Sequence, residues 1–272
     1  MKIRESVFDF SGHTYVMGIL NVTPDSFSDG GLHNTPQRAV DHALRMVSEG
    51  AAIIDVGGES TRPGYEPVPA DVEKKRVIPV IEAIRRASSV PISIDTTKPL
   101  VAEAALAAGA DIVNSVSGLA TDDEMIKVVK EFDVPFIMTY EKSYVNQFGE
   151  ALIGMAERVI EAGIKEEKII LDPGIGFGKT YEENLRILNE LPLITQTGYP
   201  ILLACSRKSV IKQACSAPDI RDRLSGTIVA TTLAALAGVG IVRVHDVADN
   251  VRAIKMLRAV CNVPETDQEK PR

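Results

Sequence analysis

The segment ILDPGIGFGKT, residues 170–180, sets an aspartate, three glycines and a lysine in close succession. Runs of this kind often cradle phosphate. A nucleoside-triphosphate loop needs a glycine, four residues and then Gly-Lys-Ser/Thr, and counting back from Gly178 puts Pro173 where the first glycine belongs. The dinucleotide fingerprint fails as well, because Gly174, Gly176 and Gly178 are spaced by two throughout. Asp172, the glycines and Lys179 must answer to another ligand. Which ligand depends on what the fold brings beside them.

Short β-branched runs recur along the chain, each followed by a turn and then by an Ala/Leu/Glu/Lys/Arg-rich stretch with helical spacing of apolar residues. The predicted strands are 16–20, 52–56, 92–94, 112–114, 136–138, 169–171, 201–204 and 241–244. Alternation of strand and helix implies parallel strands joined by crossover helices, since parallel neighbours cannot be linked by hairpins. Eight such units in 272 residues predict an α/β fold, a single-domain (β/α)8 barrel, which typically takes ~250 residues. No Pro/Gly/Ser-rich linker divides the chain, so residues 1–272 are read as one domain with a frayed polar tail at 264–272.

A barrel of this kind carries its chemistry in the loops after the strands. The polar residues expected there are Asn21 after the first strand, DVGGESTRPG (55–64) around the end of the second, and Asp95 after the third. Asn114 follows on the fourth and Asp172 after the sixth, with SRKS (206–209) after the seventh and Arg243 and His245 on the eighth. These residues converge on one rim.

Composition narrows the ligand. The formal charge of −7, from 30 Lys+Arg against 37 Asp+Glu, argues against a nucleic-acid partner, so any anion must meet a focused pocket. Cys205, Cys215 and Cys261 form no C-x-x-C pair, which suggests reduced thiols in a cytoplasm rather than disulfides or a zinc ribbon. The longest mostly apolar stretch, 228–242, is shorter than the ~20 residues of a membrane span and includes threonines and glycines. No signal peptide opens the chain; the expectation is a cytoplasmic protein without a membrane anchor.

Six segments together carry a resemblance: MGILNVTPDSFSDGG (17–31), DVGGESTRPG (55–64), SIDT (93–96), DPGIGFGKT (172–180), SRKS (206–209) and RVHD (243–246). In this order and spacing the chain resembles the dihydropteroate synthases, folate-pathway transferases that are the targets of sulfonamides. The resemblance implies condensation of p-aminobenzoate with 6-hydroxymethyl-7,8-dihydropterin pyrophosphate, giving 7,8-dihydropteroate and pyrophosphate. It also implies Mg²⁺ as cofactor and a homodimer in the cytoplasm, with small-molecule substrates and neither nucleic acid nor membrane as partner.

The resemblance assigns roles residue by residue. Asp95, Asn114 and Asp172 would hold the pterin edge, whose N–H donors suit carboxylates and an amide, with Lys208 reaching a ring acceptor. Capping of the following helices is the alternative reading of Asp95, Asn114 and Asp172. Arg62, Arg243 and His245 would bind the pyrophosphate, Thr61 would be among the substrate-binding residues, and Asn21 would help hold Mg²⁺ on the phosphate oxygens. Phe27, Pro63, Phe177 and Ser209 would shape the aminobenzoate slot. Asp29, on the first loop, would stabilise the cation left when pyrophosphate departs. The catalytic set is then Asp29, Arg62, Lys208, Arg243 and His245. The three glycines are read as giving backbone and Phe177 room beside a flat ligand.

Three positions depart from the family pattern: Ser115 follows Asn114 in place of aspartate, Thr139 follows Met138 in place of histidine, and Ala204-Cys205 replaces the glycine before SRKS. Two rival readings share the pterin carboxylates. One is a methyltetrahydrofolate-type methyltransferase, which has no use for Arg62, Lys208, Arg243 and His245. The other is a non-catalytic pterin binder.

Overall fold

The computed structural model describes residues 1–23, 35–59, 67–116 and 123–262. It opens with a two-stranded antiparallel hairpin, Lys2–Ile3 (β1) and Ser6–Val7 (β2), too short to leave a periodic signal in the sequence. All eight predicted strands follow: Tyr15–Asn21 (β3), Ile53–Gly57 (β4), Ile92–Asp95 (β5), Ile112–Ser115 (β6), Phe136–Thr139 (β7), Ile169–Asp172 (β8), Leu202–Leu203 (β9) and Ile241–Val244 (β10). They pair in parallel in the order β8-β7-β6-β5-β4-β3-β10-β9. A parallel bridge between Leu171 and Ile201 joins the two ends and closes the barrel.

The helices between the strands are Thr35–Ser48 (α1), Ala70–Ala87 (α2), Pro99–Ala107 (α3), Asp123–Phe132 (α4), Phe148–Glu161 (α5), Tyr181–Asn189 (α6), Leu191–Ile194 (α7), Ser209–Ala214 (α8), Leu224–Leu236 (α9) and Val247–Cys261 (α10). The long helices turn apolar residues inward. In α2 the buried residues Val77, Val80, Ile81 and Ile84 follow the three-and-four spacing of one helix face. They pack with the outward-facing strand residues Val56 and Ile94 in the main core. Truncating one such isoleucine to alanine would cost about 2–5 kcal/mol.

Strand alternation decides what fills the barrel. Met17, Ile53, Ile112, Ile137, Ile170, Leu202 and Ile241 form an inner apolar layer, closed from below by Ile3 and Phe8 of the hairpin region. Two residues further along, the same inward face carries Asp55, Asn114, Thr139, Asp172 and Arg243, since side chains repeat their direction every second residue. Asp95 joins this upper layer opposite Gly57 and Asn114 in the sheet register. The apolar layer is therefore a floor, and the polar residues stand on it at the C-terminal ends of the strands.

Candidate active site

Arg243 is the centre of one half of the polar layer. Its Nε donates to Asp55 Oδ2 at 2.5 Å and its Nη2 to Asp95 Oδ2 at 2.5 Å. Asn114 Nδ2 lies 3.2 and 3.3 Å from the two Asp55 oxygens. Asp55 is fully buried, so its charge is tolerable only because these donors surround it. Burial pushes the Asp95 carboxyl up to about 7 against the pull of Arg243. Burial works to lower Arg243, but Asp55 and Asp95 outweigh it and hold the guanidinium above its ordinary value.

The other half is organised around Asp172 and two lysines. Asp172 Oδ1 accepts the Gly174 N–H at 2.8 Å, an Asx-type turn, and Thr139 Oγ1 lies 3.5 Å from Oδ2. Lys208 Nζ donates to the Ile175 carbonyl at 2.6 Å and stands 4.6 Å from the centre of the Phe177 ring. Burial raises Asp172, with Lys208 opposing; burial lowers Lys208, with Asp172 opposing. Cys205 adjoins this pair, and burial pushes its thiol up to about 12, which makes it an inert packing group rather than a nucleophile.

The segment that raised the first question folds tightly. Gly174 and Gly178 have φ of +71° and +58°, and a Cβ there would lie 2.1 Å from the Tyr140 carbonyl oxygen and 2.3 Å from that of Glu141. Gly174 and Gly178 thus permit a close approach of this chain's own backbone, while Gly176, also at positive φ, adjoins the Lys208 side chain at 3.4 Å. Thr180 caps α6 reciprocally with Glu183, at 3.2 and 2.6 Å. Lys179 turns inward instead, to the carbonyls of Tyr140, Gly174 and Phe177.

Capping does not account for Asp95 or Asp172. The N-cap of α3 is Lys98 and that of α6 is Thr180, so both aspartates are left for the barrel mouth. His245 Nδ1 is 3.0 Å from Ser206 Oγ, which itself accepts the His245 N–H at 3.2 Å. Neighbouring Arg207 is held by Asp246 through two bonds of 3.0 and 2.5 Å and faces away from ligand duty. Asn21 ends β3 beside Gly57 and Asp95, and Ser209 begins α8 directly after Lys208.

The structure thus gathers Asp95, Asn114, Asp172, Lys208 and Arg243 at one mouth, with Asn21, Phe177, Ser209 and His245 around it. Phe27, Asp29, Thr61, Arg62 and Pro63 lie outside the described residues. What borders 60–66 is well fixed. Lys98 Nζ bonds Glu59 and, at 2.7 Å, the buried Glu73, while Glu59 Oε2 accepts the Val68 N–H at 3.0 Å. The same glutamate ties both ends of that stretch.

A model of the pterin binding enzymes matches residues 17–245, from the first barrel strand to the histidine after the last. The dihydropteroate synthase of Clostridium beijerinckii is 48% identical over 263 residues, covering 94% of this chain and 97% of that protein. This chain belongs to the dihydropteroate synthase family. The solved structure of the family's Clostridium difficile member, determined in the presence of pteroic acid, superposes with a TM-score of 0.87 at 46% identity, covering 93% of this chain and 99% of that one. The Xanthomonas albilineans dihydropteroate synthase with 4-aminobenzoic acid also gives 0.87, at 40% identity over 92% of this chain and 94% of that one.

Against this family frame, three site features escaped the sequence reading. Asp55 sits inside a quoted motif yet received no role; a lone carboxylate in the apolar run IIDVG was the available signal. Ser206, the partner of His245, and the inward turn of Lys179 gave no such signal. The departures are all buried: Ser115 and Thr139 end β6 and β7, and Ala204 and Cys205 follow β9.

Proposed function

We propose that this family member joins p-aminobenzoate to the methylene of 6-hydroxymethyl-7,8-dihydropterin pyrophosphate, as a transferase of folate biosynthesis, at the mouth described above. The observation that carries the reading is the direct contact between Asp95 and Arg243 at 2.5 Å. A carboxylate well for a flat, donor-rich heterocycle and a cationic seat for its diphosphate adjoin within one cluster. The sequence reading divided these roles between Asp95, Asn114 and Asp172 on one side and Arg243 and His245 on the other. Because Arg243 bonds the carboxylates themselves, its role here spans both parts.

In this reading Asp95 and Asp172 accept pterin N–H groups, and Asn114, oriented by Asp55, completes the edge. Lys208, backed by the Ile175 carbonyl, presents its ammonium to a ring acceptor, and Phe177 offers the aminobenzoate a face. The C–O bond between methylene and diphosphate breaks and the electron pair leaves with the diphosphate, where Arg243 and His245, with Arg62, meet the negative charge. The pterin ring delocalises the resulting cation, aided by Asp29. The aryl amine then forms the C–N bond and releases its proton to solvent, so no strong base is required.

At the end of β3, Asn21 Oδ1 stands near Asp95 Oδ2 on the same side of Gly57, 3.8 and 3.7 Å from where a Gly57 Cβ would be. Among the described residues no three His, Cys, Asp or Glu gather to hold a metal. One amide oxygen without a protein cage suits Mg²⁺, which keeps waters and shares substrate phosphates. Asn21 would hold it, and bound there it would neutralise charge on the departing diphosphate.

A homodimer forms part of the same proposal. Val229, Leu233 and Leu236 of α9 and Met256 and Val260 of α10 are exposed, and a groove of about 560 Å³ runs between α6, α8 and α9. Contiguous apolar surface of this kind favours a self-complementary partner. Sedimentation should give twice the 29.4 kDa chain mass, and Leu233→Glu should halve it. Cytoplasmic residence is supported by Cys215 and Cys261, exposed and unpaired among the described residues. No described helix is long and apolar enough to cross a membrane.

The deciding assay combines the protein, dihydropterin pyrophosphate, p-aminobenzoate and Mg²⁺ and follows pyrophosphate and dihydropteroate. Failure of the complete mixture to form dihydropteroate would overturn the reading.

A further inference from the structure

Lys179 is a charged residue of the opening motif that the reaction above leaves unused. Its Nζ donates to three main-chain carbonyls, Tyr140 at 2.6 Å, Gly174 at 3.0 Å and Phe177 at 3.0 Å. An ammonium has three N–H donors, and here all are spent on the protein. The same nitrogen lies 5.3 and 6.0 Å from the ring centres of Tyr140 and Phe148, so its charge is also met by aromatic faces. Lys179 is thus a cross-link between the β8–α6 segment and the chain leaving β7.

What hangs on this cross-link is the aminobenzoate side of the mouth. Residues 173–178 carry the Ile175 carbonyl that fixes Lys208 Nζ at 2.6 Å and the Phe177 ring beneath it at 4.6 Å. The segment is secured from its other flank by Asn184, whose Oδ1 accepts the Gly176 N–H at 2.7 Å while its Nδ2 donates to the Thr180 carbonyl at 2.6 Å. Between these anchors, the positive-φ glycines leave the backbone little stiffness of its own.

We propose that Lys179 is a positioning residue: its ammonium holds residues 173–178 in the fold that sets the Phe177 ring against the aminobenzoate. It touches no substrate. The proposal rests on the synthase reading but concerns the geometry of one subsite. Misplacing that surface by about an ångström would cost up to ~10²-fold in productive binding while leaving bond breaking at the pterin methylene less affected.

Charge is part of the device. Burial pulls Lys179 down to about 8, with Asp172 opposing; Lys208 lowers it further, and Glu183 and Glu141 raise it. A neutral amine would keep two donors for three carbonyls, so the surface should loosen as pH rises through that value. Lys208, whose ammonium burial also disfavours, faces the same segment and is the group to be distinguished.

The test uses the full-length enzyme and the variants Lys179→Met and Lys179→Arg, with KM for p-aminobenzoate, kcat and KM for the pterin substrate followed from pH 6.5 to 9.5. Lys179→Met is expected to raise the aminobenzoate KM about tenfold or more, with kcat and the pterin KM changing about threefold or less. In the wild type the aminobenzoate KM should climb above pH 8, and in Lys179→Arg, which stays charged, that climb should disappear. A climb retained in Lys179→Arg would assign it to Lys208 and overturn the proposal, as would equal losses in every constant for a folded Lys179→Met. If Lys179→Met does not fold, the arginine variant alone decides. Equilibrium binding of p-aminobenzoate with Mg²⁺ and pyrophosphate is measured over the same pH range. A wild type that binds but does not turn over would sink the reaction while leaving Lys179 readable.

Discussion

The two halves of the barrel mouth hold their charges in opposite ways. On the β4–β5–β10 side, Arg243 is locked by side chains, Asp55 and Asp95, each contacting it at 2.5 Å. On the β8–β9 side, Lys208 and Lys179 are locked by backbone, through carbonyls of residues 140, 174, 175 and 177. A guanidinium between carboxylates is a rigid fork with defined geometry, whereas an ammonium among carbonyls can adjust as the backbone moves. Both halves contribute to the proposed pterin site, Asp95 and Asn114 from the first and Asp172 and Lys208 from the second, and the second also carries the Phe177 ring.

The comparison can be broken most severely at Arg243. Arg243→Met leaves Asp55 and Asp95 buried without their cation, at a cost of about 3–5 kcal/mol in stability. It should also lower kcat/KM by about 10³-fold, ~4 kcal/mol, and weaken pterin and pyrophosphate binding together. Calorimetric titration with a pterin analogue and with pyrophosphate separates the two. Loss of pyrophosphate binding alone would restore the division of roles read from sequence.

Backbone locking makes a different prediction. Gly174→Ala places a methyl 2.1 Å from the Tyr140 carbonyl oxygen in a left-handed conformation, so the segment must shift. The aminobenzoate KM should rise about 10²-fold, and binding of a pterin analogue should fall as well, because the Gly174 N–H holds Asp172 Oδ1. Pterin binding left unchanged would show that Asp172 does not depend on this segment.

These contrasts explain what the sequence could and could not reveal. The eight strands were legible because β-branched runs and helical spacing are local signals, and β4 to β10 each begin within a residue of the predicted start. Asp95 and Asp172 were legible as strand-end polar residues in matched motifs, and Asn114 as a strand-end polar residue outside them. Asp55 was not, because its partner Arg243 lies 188 residues away and only barrel closure brings them together. The inward turn of Lys179 was hidden for a related reason. Its ligands are main-chain carbonyls, which carry no residue identity to read. The glycine spacing was legible as special, but the approach of Tyr140 and Glu141 to Gly174 and Gly178 was not, since they belong to a different strand-helix unit.

The carboxylate half should also set the acid limit of the reaction. Asp95 is lifted by burial to about 7, so below that pH it gains a proton, becomes a weaker acceptor for a pterin N–H and loses part of its hold on Arg243. The expected profile of kcat/KM for the pterin substrate rises with pH through about 7, a limb that reports the free enzyme. Asp95→Asn should lower activity by about 10²-fold and flatten that limb, since an amide does not titrate there. A limb that survives unchanged in Asp95→Asn would move the titration to Asp172, whose carboxyl burial also raises.

Where the halves meet, Thr139 offers the finest test. Its hydroxyl is 3.5 Å from Asp172 Oδ2, a long contact beside the 2.8 Å bond from the Gly174 N–H to the other oxygen. Hydrogen bonds weaken steeply at that distance, so Asp172 is oriented by the glycine segment and not by the threonine. Thr139→Val keeps the shape and removes the hydroxyl, and should change kcat/KM by about threefold or less, with the pterin and aminobenzoate constants moving equally. A selective loss of pterin binding would mean that Asp172 belongs to the side-chain-locked half after all. The backbone-locked half would then end at Lys208, and the departure from histidine at this position would be a change in how the pterin carboxylate is held.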